Sequence, residues 1–250
     1  MLATSLPITA PAAVSPASVG RPASATMARM VAVNAAIAEA CPARTDDDAM
    51  IATKVRALMV GYELRWRGEQ WATLAAEQTA HVKLLNPATG MPSRTYSSAG
   101  KLDAIVVHRE TGRKMLVEHK SVGASIEEPD ASFWQQAQLS SQVSKYLLLA
   151  WQSGFKLDGC IYDAIRKPTI KPRKLTKREI LGIVGTGAYF GGQVSAPVAT
   201  MVMRGKQDTE CHELYGYRLS ADILENLGSY FQRREVPRPD HDLLEYATEL

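Results

Sequence analysis

The segment "GKLDAIVVHRETGRKMLVEHKS", residues 100–121, decides how the rest of the sequence is interpreted. Two apolar runs, 100–108 and 114–121, flank the turn-forming sequence "RETGR", which is the pattern of a β-hairpin. Both runs carry charged residues, with Asp103 in the first and Glu118 and Lys120 in the second. Because side chains alternate along a strand, Glu118 and Lys120 point to one face and His119 points to the other.

The hairpin register predicts a cluster of charged side chains. The turn centres on residues 110–112, so the numbers of paired residues sum to about 221–223, and Asp103 lies opposite Glu118 or Lys120. Two carboxylates at that separation repel each other unless a cation lies between them, and oxygen ligands with open water positions suit Mg²⁺ or Mn²⁺. The His119 backbone carbonyl is a further candidate ligand.

Lys120 has a chemical role in this hypothesis. An ammonium beside a metal can lower the pKa of an attacking water or stabilise the charge that builds on a phosphate. The alternative is that Glu118 and Lys120 form part of an exposed strand face, where a cross-strand pair stabilises the hairpin by only ~0.2–1 kcal/mol.

Residues 131–152, "ASFWQQAQLSSQVSKYLLLAWQ", are predicted to form one helix. Gln142 and Tyr146 are four residues apart and therefore share one helix face. An amide beside a phenol can hold a phosphate or a base near the metal. The alternative is that Tyr146 belongs to the core and Gln142 lies at its edge.

The remaining patterns predict a mixed chain of helices and strands. The predicted helices cover residues 27–41 and 46–66, and the predicted strands cover residues 72–85 and 157–165. Towards the C-terminus, residues 211–220 are predicted as a strand, residues 221–235 as a helix and residues 242–250 as the start of another helix. This order indicates an α/β (α+β) fold with a central mixed sheet flanked by helices.

The N-terminal residues 1–26 are rich in Ala, Pro and Ser and lack periodicity, so we expect a disordered tail. Residues 27–250 are then expected to form a single domain. The N-terminus lacks a basic stretch and has Pro within its apolar part, which argues against a secretory signal, and no apolar run is as long as a membrane span. We therefore expect a cytoplasmic protein without a membrane partner.

Positive charge is concentrated in one segment. The formal net charge is +3, and residues 166–178, "RKPTIKPRKLTKR", contain no acid and seven Lys or Arg residues. Such a patch suits a phosphate backbone, and the alternative is a solvated loop. The candidate DNA-binding residues are Arg166, Lys167, Lys171, Arg173 and Lys174.

The ordered set Asp103, Glu118-x-Lys120 and Gln142-x-x-x-Tyr146 resembles the PD-(D/E)XK nuclease superfamily. Within it, the chain is similar to the RecB-like exonuclease branch of phages and bacteria, over roughly residues 45–245. The matching stretches include "NPATGMPSRTYSSAGKLDAIV", "LVEHKS" and "IYDAIRKP". The resemblance implies a restriction-endonuclease-like core. Position 102 is Leu where many members have Pro.

The resemblance also implies roles for these residues. Asp103 and Glu118 become metal ligands, and Lys120 positions or activates the water. Gln142 and Tyr146 support the site or contact DNA. The branch often has one more upstream ligand, for which Glu77 is the first candidate and His81 the second. Some members carry a four-cysteine iron–sulfur cluster, but three scattered cysteines cannot supply one, so we expect none.

The implied activity is a Mg²⁺-dependent DNA phosphodiesterase, with Mn²⁺ as a substitute, that uses a metal-activated water. An exonuclease that acts on DNA ends in phage or bacterial recombination or repair is the first hypothesis. DNA and a recombinase or single-strand annealing protein are the expected partners, and the bacterial cytoplasm is the expected location. The alternatives are an endonuclease of the same fold, a non-catalytic DNA-binding or recombination partner, and a nuclease that acts on RNA.

Overall fold

A computed structural model describes residues 35–40, 42, 45–86, 89–205 and 211–249, so the tail predicted over residues 1–26 lies outside the described residues. Five strands form a mixed sheet in the order β1-β2-β3-β4-β7, in which only β3 and β4 are parallel. The strands are β1 Trp71–Leu85, β2 Pro92–His108, β3 Lys114–Val122, β4 Gly159–Arg166 and β7 Phe231–Val236, and a separate small pair is β5 Ala188–Tyr189 and β6 Gly192–Gln193. The predicted fold class, a central mixed sheet flanked by helices, is confirmed.

The predicted hairpin forms β2 and β3. Ala104 pairs with Val117 and Val107 with Lys114, a register in which paired numbers sum to 221. The chain reverses at Gly112, whose φ of 70° lies in the left-handed region that glycine adopts without strain. This register brings Asp103 to the level of Glu118.

The helices cover both faces of the sheet. Residues 35–40 are helical, and the later helices are α1 Asp46–Arg65, α2 Ser132–Leu139, α3 Ser141–Gln152, α4 Lys177–Thr186, α5 Ala196–Met203, α6 His212–Glu225, α7 Leu227–Tyr230 and α8 Asp240–Glu249. Thr45 caps α1, because its hydroxyl accepts from the Asp48 N–H and the Asp48 carboxylate accepts from the Thr45 N–H. None of the helices in these described ranges is long and apolar enough to cross a membrane.

The helix predicted over residues 131–152 is in fact two helices, α2 and α3. Ser140 separates them in an extended conformation, with ψ of 115°. Arg238 holds this break from outside, because its Nη2 donates to the Ser140 carbonyl over 2.9 Å and its Nε donates to Ser144 Oγ over 3.1 Å. The pair α2–α3 is the crossover connection that parallel strands β3 and β4 require.

Two predictions near the C-terminus are wrong. Residues 211–220 are mostly the start of helix α6, not a strand, and Leu214, Leu219 and Ile223 are buried at helical spacing. Residues 231–235, predicted as the end of a helix, belong to β7, which pairs antiparallel with β4. The local helical pattern of residues 231–235 is overridden by their pairing with β4. Without β7, β4 would be an unpaired edge strand.

The apolar core has separate parts on the two faces of the sheet. Ile105, Leu116 and Leu147 belong to the main core, where α3 packs on one face. On the other face α1 packs against α6 and Phe231, and a Cβ on Gly61 would lie 2.4 Å from Ile223 Cγ2, so only glycine permits this approach. A smaller core lies among α4, β5 and α5 and includes Leu175 of the basic segment.

Candidate metal centre and active site

Three side chains form a closed triangle of hydrogen bonds on one face of the sheet. Lys120 Nζ lies 2.6 Å from Glu118 Oε1 and 2.9 Å from Gln142 Oε1, and Gln142 Nε2 donates to the same Glu118 Oε1 over 3.0 Å. Strand β3 presents Glu118 and Lys120 two residues apart, and α3 presents Gln142 from above. The structure therefore brings together three of the residues predicted from the sequence.

Glu118 is buried, with only 5% of its side chain exposed. Burial raises the pKa of this carboxyl, the hydrogen bond and charge of Lys120 lower it, and the charge of Asp103 raises it again, so the net pKa lies above its ordinary value. Its second oxygen, Oε2, is buried and has no hydrogen-bond partner among the described residues. An unsatisfied buried carboxylate oxygen is costly unless something binds it.

Asp103 lies at an irregular point of β2. Its Oδ2 accepts the backbone N–H of His119 over 2.9 Å, which places the carboxylate beside β3. Leu102 packs in the same core as Ile105 although they are three residues apart, so strict alternation along β2 is interrupted here. On the facing strand Glu77 has a φ of 53°. The sheet is therefore distorted where the candidate ligand projects.

Lys120 is held as a cation. Burial lowers its pKa, but the hydrogen bond and charge of Glu118 outweigh burial, so the net pKa lies above its ordinary value. Its Nζ also lies 5.8 Å from the ring centroid of Tyr162, the partner of Glu118 on β4. The protonated ammonium of Lys120 is therefore favoured beside Glu118, and its part in positioning or activating a water stays a prediction.

Tyr146 lies one turn after Gln142 on α3 and packs over β2. A Cβ on Gly100 would lie 3.0 Å from Tyr146 Cε1, so the close approach of ring and strand depends on that glycine. Tyr146 also packs against the main core. Its ring therefore lies at the edge of the core, and its support of the site or contact with DNA stays a prediction.

The two candidates for an upstream ligand each contact a residue of β2. The Glu77 carboxylate forms an ion pair with Lys101, and its side chain is 65% exposed. His81 is exposed, and its Nε2 bonds Ser97 Oγ over 3.1 Å. The β1–β2 register still places Glu77 across from Asp103, between the pairs Ala76–Ala104 and Gln78–Leu102, so its role as a ligand stays a prediction.

The basic segment begins close to the triangle. Arg166 pairs with Val122, which is two residues after Lys120 on the neighbouring parallel strand. Lys167, Lys171 and Lys174 are exposed. Arg173 instead makes a two-point ion pair with Glu179, with nitrogen–oxygen distances of 2.9 and 2.5 Å. Arg173 thus attaches the segment to α4, while its side chain remains 40% exposed and its contact with DNA stays a prediction.

Within the described residues, no group of three or more His, Cys, Asp or Glu side chains is arranged to hold a metal ion. The candidate centre instead offers the two carboxylates Asp103 and Glu118, and the second of these keeps its buried Oε2 unpaired within the same ranges. A site with only a few carboxylate oxygen donors suits Mg²⁺ or Mn²⁺, because these cations keep several waters when they bind to proteins. The residues present therefore fit such a cation, and the His119 carbonyl stays a predicted ligand. Two cysteines in the described ranges, Cys160 and Cys211, are buried and unpaired.

The sequence interpretation missed a polar cluster on the opposite face of the sheet. Asp163 on β4 is fully buried, and its Oδ2 lies near His119 Nδ1, Arg233 Nη2 and the Tyr62 hydroxyl. The available signal was an acid in the middle of the apolar strand "GCIYDAI". The sequence predicts a role only for the His119 carbonyl, whereas its side chain joins this cluster.

A groove elsewhere on the sheet does not coincide with this chemistry. It measures about 1080 Å³ and lies between the far halves of β1 and β2, helix α3 and helix α8. Tyr96, Trp151 and Leu244 are large exposed side chains in its lining. The triangle and Asp103 are not part of that lining, so the groove and the candidate centre are separate features.

Comparison with known proteins does not assign a family. No family model matches the chain, and no curated protein matches it. The crystal structure of SSO0001 is similar at 18% identity and a TM-score of 0.26, over 55% of this chain and 57% of that chain. The chain thus spans little more than half the length of that structure, and a likeness at this score bears on neither fold nor function.

Proposed function

We propose that the chain is a metal-dependent deoxyribonuclease of the PD-(D/E)XK kind that it resembles, acting as an exonuclease on DNA ends. One observation carries the proposal. Glu118 is buried beside a fixed ammonium and an amide, with the charge of Asp103 close by, and its Oε2 lacks a partner among the described residues. That arrangement suits a site that binds a cation and a phosphate, because a buried, unpaired carboxylate oxygen next to an ammonium and a second carboxylate is placed where a cation can bind it.

Each side chain then has a distinct task. Asp103 and Glu118 hold the divalent cation, which supplies Lewis acidity to activate water and neutralise charge at the phosphate. Lys120 fixes Glu118 and places its positive charge where the phosphate becomes more negative during attack. Gln142 fixes both partners, because its amide accepts from Lys120 and donates to Glu118. The raised pKa of Lys120 supports an electrostatic task over proton abstraction.

The basic segment provides the grip on DNA. Arg166 is the last residue of β4, and Lys167, Lys171 and Lys174 follow it, beside the end of β3 that lies after Lys120. Contacts from such residues to phosphates position a duplex without reading its sequence. By the same resemblance, the proposed setting is phage or bacterial recombination or repair in the host cytoplasm, with a recombinase or single-strand annealing protein as partner.

A nuclease assay tests this function. Wild type and Lys120→Ala are compared on end-labelled linear duplex, single-stranded DNA and covalently closed plasmid, with Mg²⁺, Mn²⁺ or EDTA. We expect metal-dependent degradation of linear DNA, reduced about 10²–10³-fold by the substitution, since removing one preorganised charge-stabilising group costs that much. Lys114→Ala is the matched control, because Lys114 is exposed on the same strand.

The other outcomes are equally specific. Nicked or linearised plasmid would replace the exonuclease by an endonuclease of the same fold. Retained DNA binding without cleavage in either metal would favour a non-catalytic DNA-binding partner and contradict the proposal. Cleavage that Lys120→Ala leaves unchanged would place the chemistry elsewhere in the molecule.

A further inference from the structure

Asp163 is an acid in the middle of the sheet with 0% exposure. It pairs with His119 across β3 and β4 and with Arg233 across β4 and β7. Its Oδ2 accepts from His119 Nδ1 over 3.1 Å, lies 3.2 Å from Arg233 Nη2, and accepts a short hydrogen bond from the Tyr62 hydroxyl. Three separate elements, α1, β3 and β7, therefore meet at one carboxylate oxygen.

The cluster keeps Asp163 charged. Burial alone raises the pKa of a carboxyl, but the hydrogen bonds and charges of His119, Arg233 and Tyr62 outweigh burial and hold the pKa of Asp163 below its ordinary value. Arg233 is itself fixed by an ion pair with Glu69 and by stacking 4.3 Å above the Trp66 ring. A buried charge with several matched partners has little freedom to move, because each displacement breaks a strong interaction.

His119 is fixed from two sides at once. Its imidazole is bound to Asp163 on one face of the sheet, and its backbone N–H is bound to the Asp103 carboxylate over 2.9 Å. Glu118 and Lys120 are its immediate neighbours in the chain. The contact of the imidazole with Asp163 therefore anchors the same residue whose amide orients Asp103 and whose chain neighbours are Glu118 and Lys120.

We propose that Asp163 is a positioning residue for the candidate metal centre and acts through His119, from the face of the sheet opposite the metal. This inference rests on the proposed function, since it concerns the orientation of Asp103 and Glu118 towards a divalent cation. Asp163 itself does not touch the metal or the substrate. Partners of this outer kind typically change metal affinity 10–100-fold when removed.

The first test is a titration of Mn²⁺ into the protein without DNA, by calorimetry or electron paramagnetic resonance. We expect Asp163→Asn and His119→Leu to weaken Mn²⁺ binding about 10-fold or more. His119→Asn is expected to stay near wild type, because an asparagine amide nitrogen can occupy the place of Nδ1 and donate to Asp163. Asp158→Asn is the matched control, since Asp158 is an exposed acid that accepts from the Lys114 N–H just before β4.

The second test reads the His119 amide directly by hydrogen exchange in nuclear magnetic resonance. Faster exchange of this amide in Asp163→Asn, with the far end of β3 still protected, is the expected result. Tyr62→Phe separates positioning from stability, because it removes one donor to Asp163 and leaves His119 in place. We expect it to lower the unfolding midpoint without changing Mn²⁺ affinity.

Three results would overturn the inference. Wild-type Mn²⁺ affinity in folded Asp163→Asn is one, and equal affinity in His119→Leu and His119→Asn is another. An unchanged exchange rate of the His119 amide is the third. If wild type binds Mn²⁺ and Glu118→Gln does not, while the Asp163 variant binds it normally, the inference fails and the proposed function is retained. Absence of Mn²⁺ binding by wild type contradicts both.

Discussion

Gln142 shows how much the candidate centre depends on a single side chain. Its amide oxygen faces Lys120 and its amide nitrogen faces Glu118. An amide offers a donor and an acceptor side by side without charge, so one residue satisfies a cation and an anion together. A methionine side chain of about the same length fills the space but leaves Lys120 with one hydrogen-bond partner and Glu118 Oε1 with one donor.

Gln142→Met is therefore expected to lower catalysis more than stability. We expect kcat to fall about 10-fold, since Lys120 and Glu118 are held less firmly, and the free energy of unfolding to fall by about 1 kcal/mol for the hydrogen bonds removed. Steady-state cleavage of end-labelled duplex and urea unfolding measure the two effects. Gln138→Met, an exposed position on α2, is the control, and equal activity in the two variants would contradict the role of Gln142.

At the scale of elements, the start of α4 anchors the basic segment. Thr176 and Glu179 form a capping box, and Arg173 adds its two-point ion pair with Glu179. The Tyr189 hydroxyl also donates to Glu179, so the small strand pair is attached to the same residue. One carboxylate thus connects the basic segment, a helix and a hairpin.

Glu179 gives this anchor a pH dependence. The hydrogen bond from Arg173, against the opposing effect of burial, lowers its pKa from 4.5 to about 2. A lowered pKa in the folded state means that the stabilisation is complete above the ordinary value and is lost as pH falls towards the folded one. Glu179→Gln should therefore reduce the free energy of unfolding by about 1–2 kcal/mol at pH 7 and by much less near pH 2.

Urea unfolding at both pH values checks this expectation. Glu110→Gln in the hairpin turn is the control, because Glu110 is exposed. A Glu179→Gln deficit of the same size at both pH values would show that the ion pair is not its source.

The elements differ in how far sequence alone determines them. The hairpin of β2 and β3 was predictable because turn chemistry and alternation are local, and these fix the side on which Glu118 and Lys120 lie. The break at Ser140 was not, since it depends on Arg238, which is 98 residues away. The cluster at Asp163 was missed for the same reason, because its partners come from α1, β3 and β7 and only the fold reveals that they meet.

At the scale of the whole molecule, the distribution of charge along the chain is expected to matter more for DNA binding than the net charge. The chain carries only +3 in total, while the segment after β4 concentrates exposed lysines. Neutralised phosphates release counterions, so the salt dependence of binding counts the contacts made. A molecule of this kind is expected to hold DNA at one edge of its sheet.

The double variant Lys171→Ala, Lys174→Ala tests that arrangement. With cleavage blocked by EDTA, the slope of log K against log salt for duplex DNA should become shallower by about 1.8, at about 0.9 for each phosphate that is no longer neutralised. Fluorescence anisotropy across a salt series measures the slope. The double variant Lys83→Ala, Lys114→Ala removes the same charge elsewhere, and an equal change in its slope would argue against a localised grip.

Because the Asp163 cluster joins α1, β3 and β7, its parts are synthesised in a fixed order. Residues 62, 119 and 163 leave the ribosome well before Arg233, which lies on the last strand of the sheet. A nascent chain that has reached β4 therefore carries its central acid without the guanidinium that compensates it. Only chains that already include residues 231–236 can complete the cluster, so the Asp163 side of the candidate centre is finished only after β7 has been synthesised.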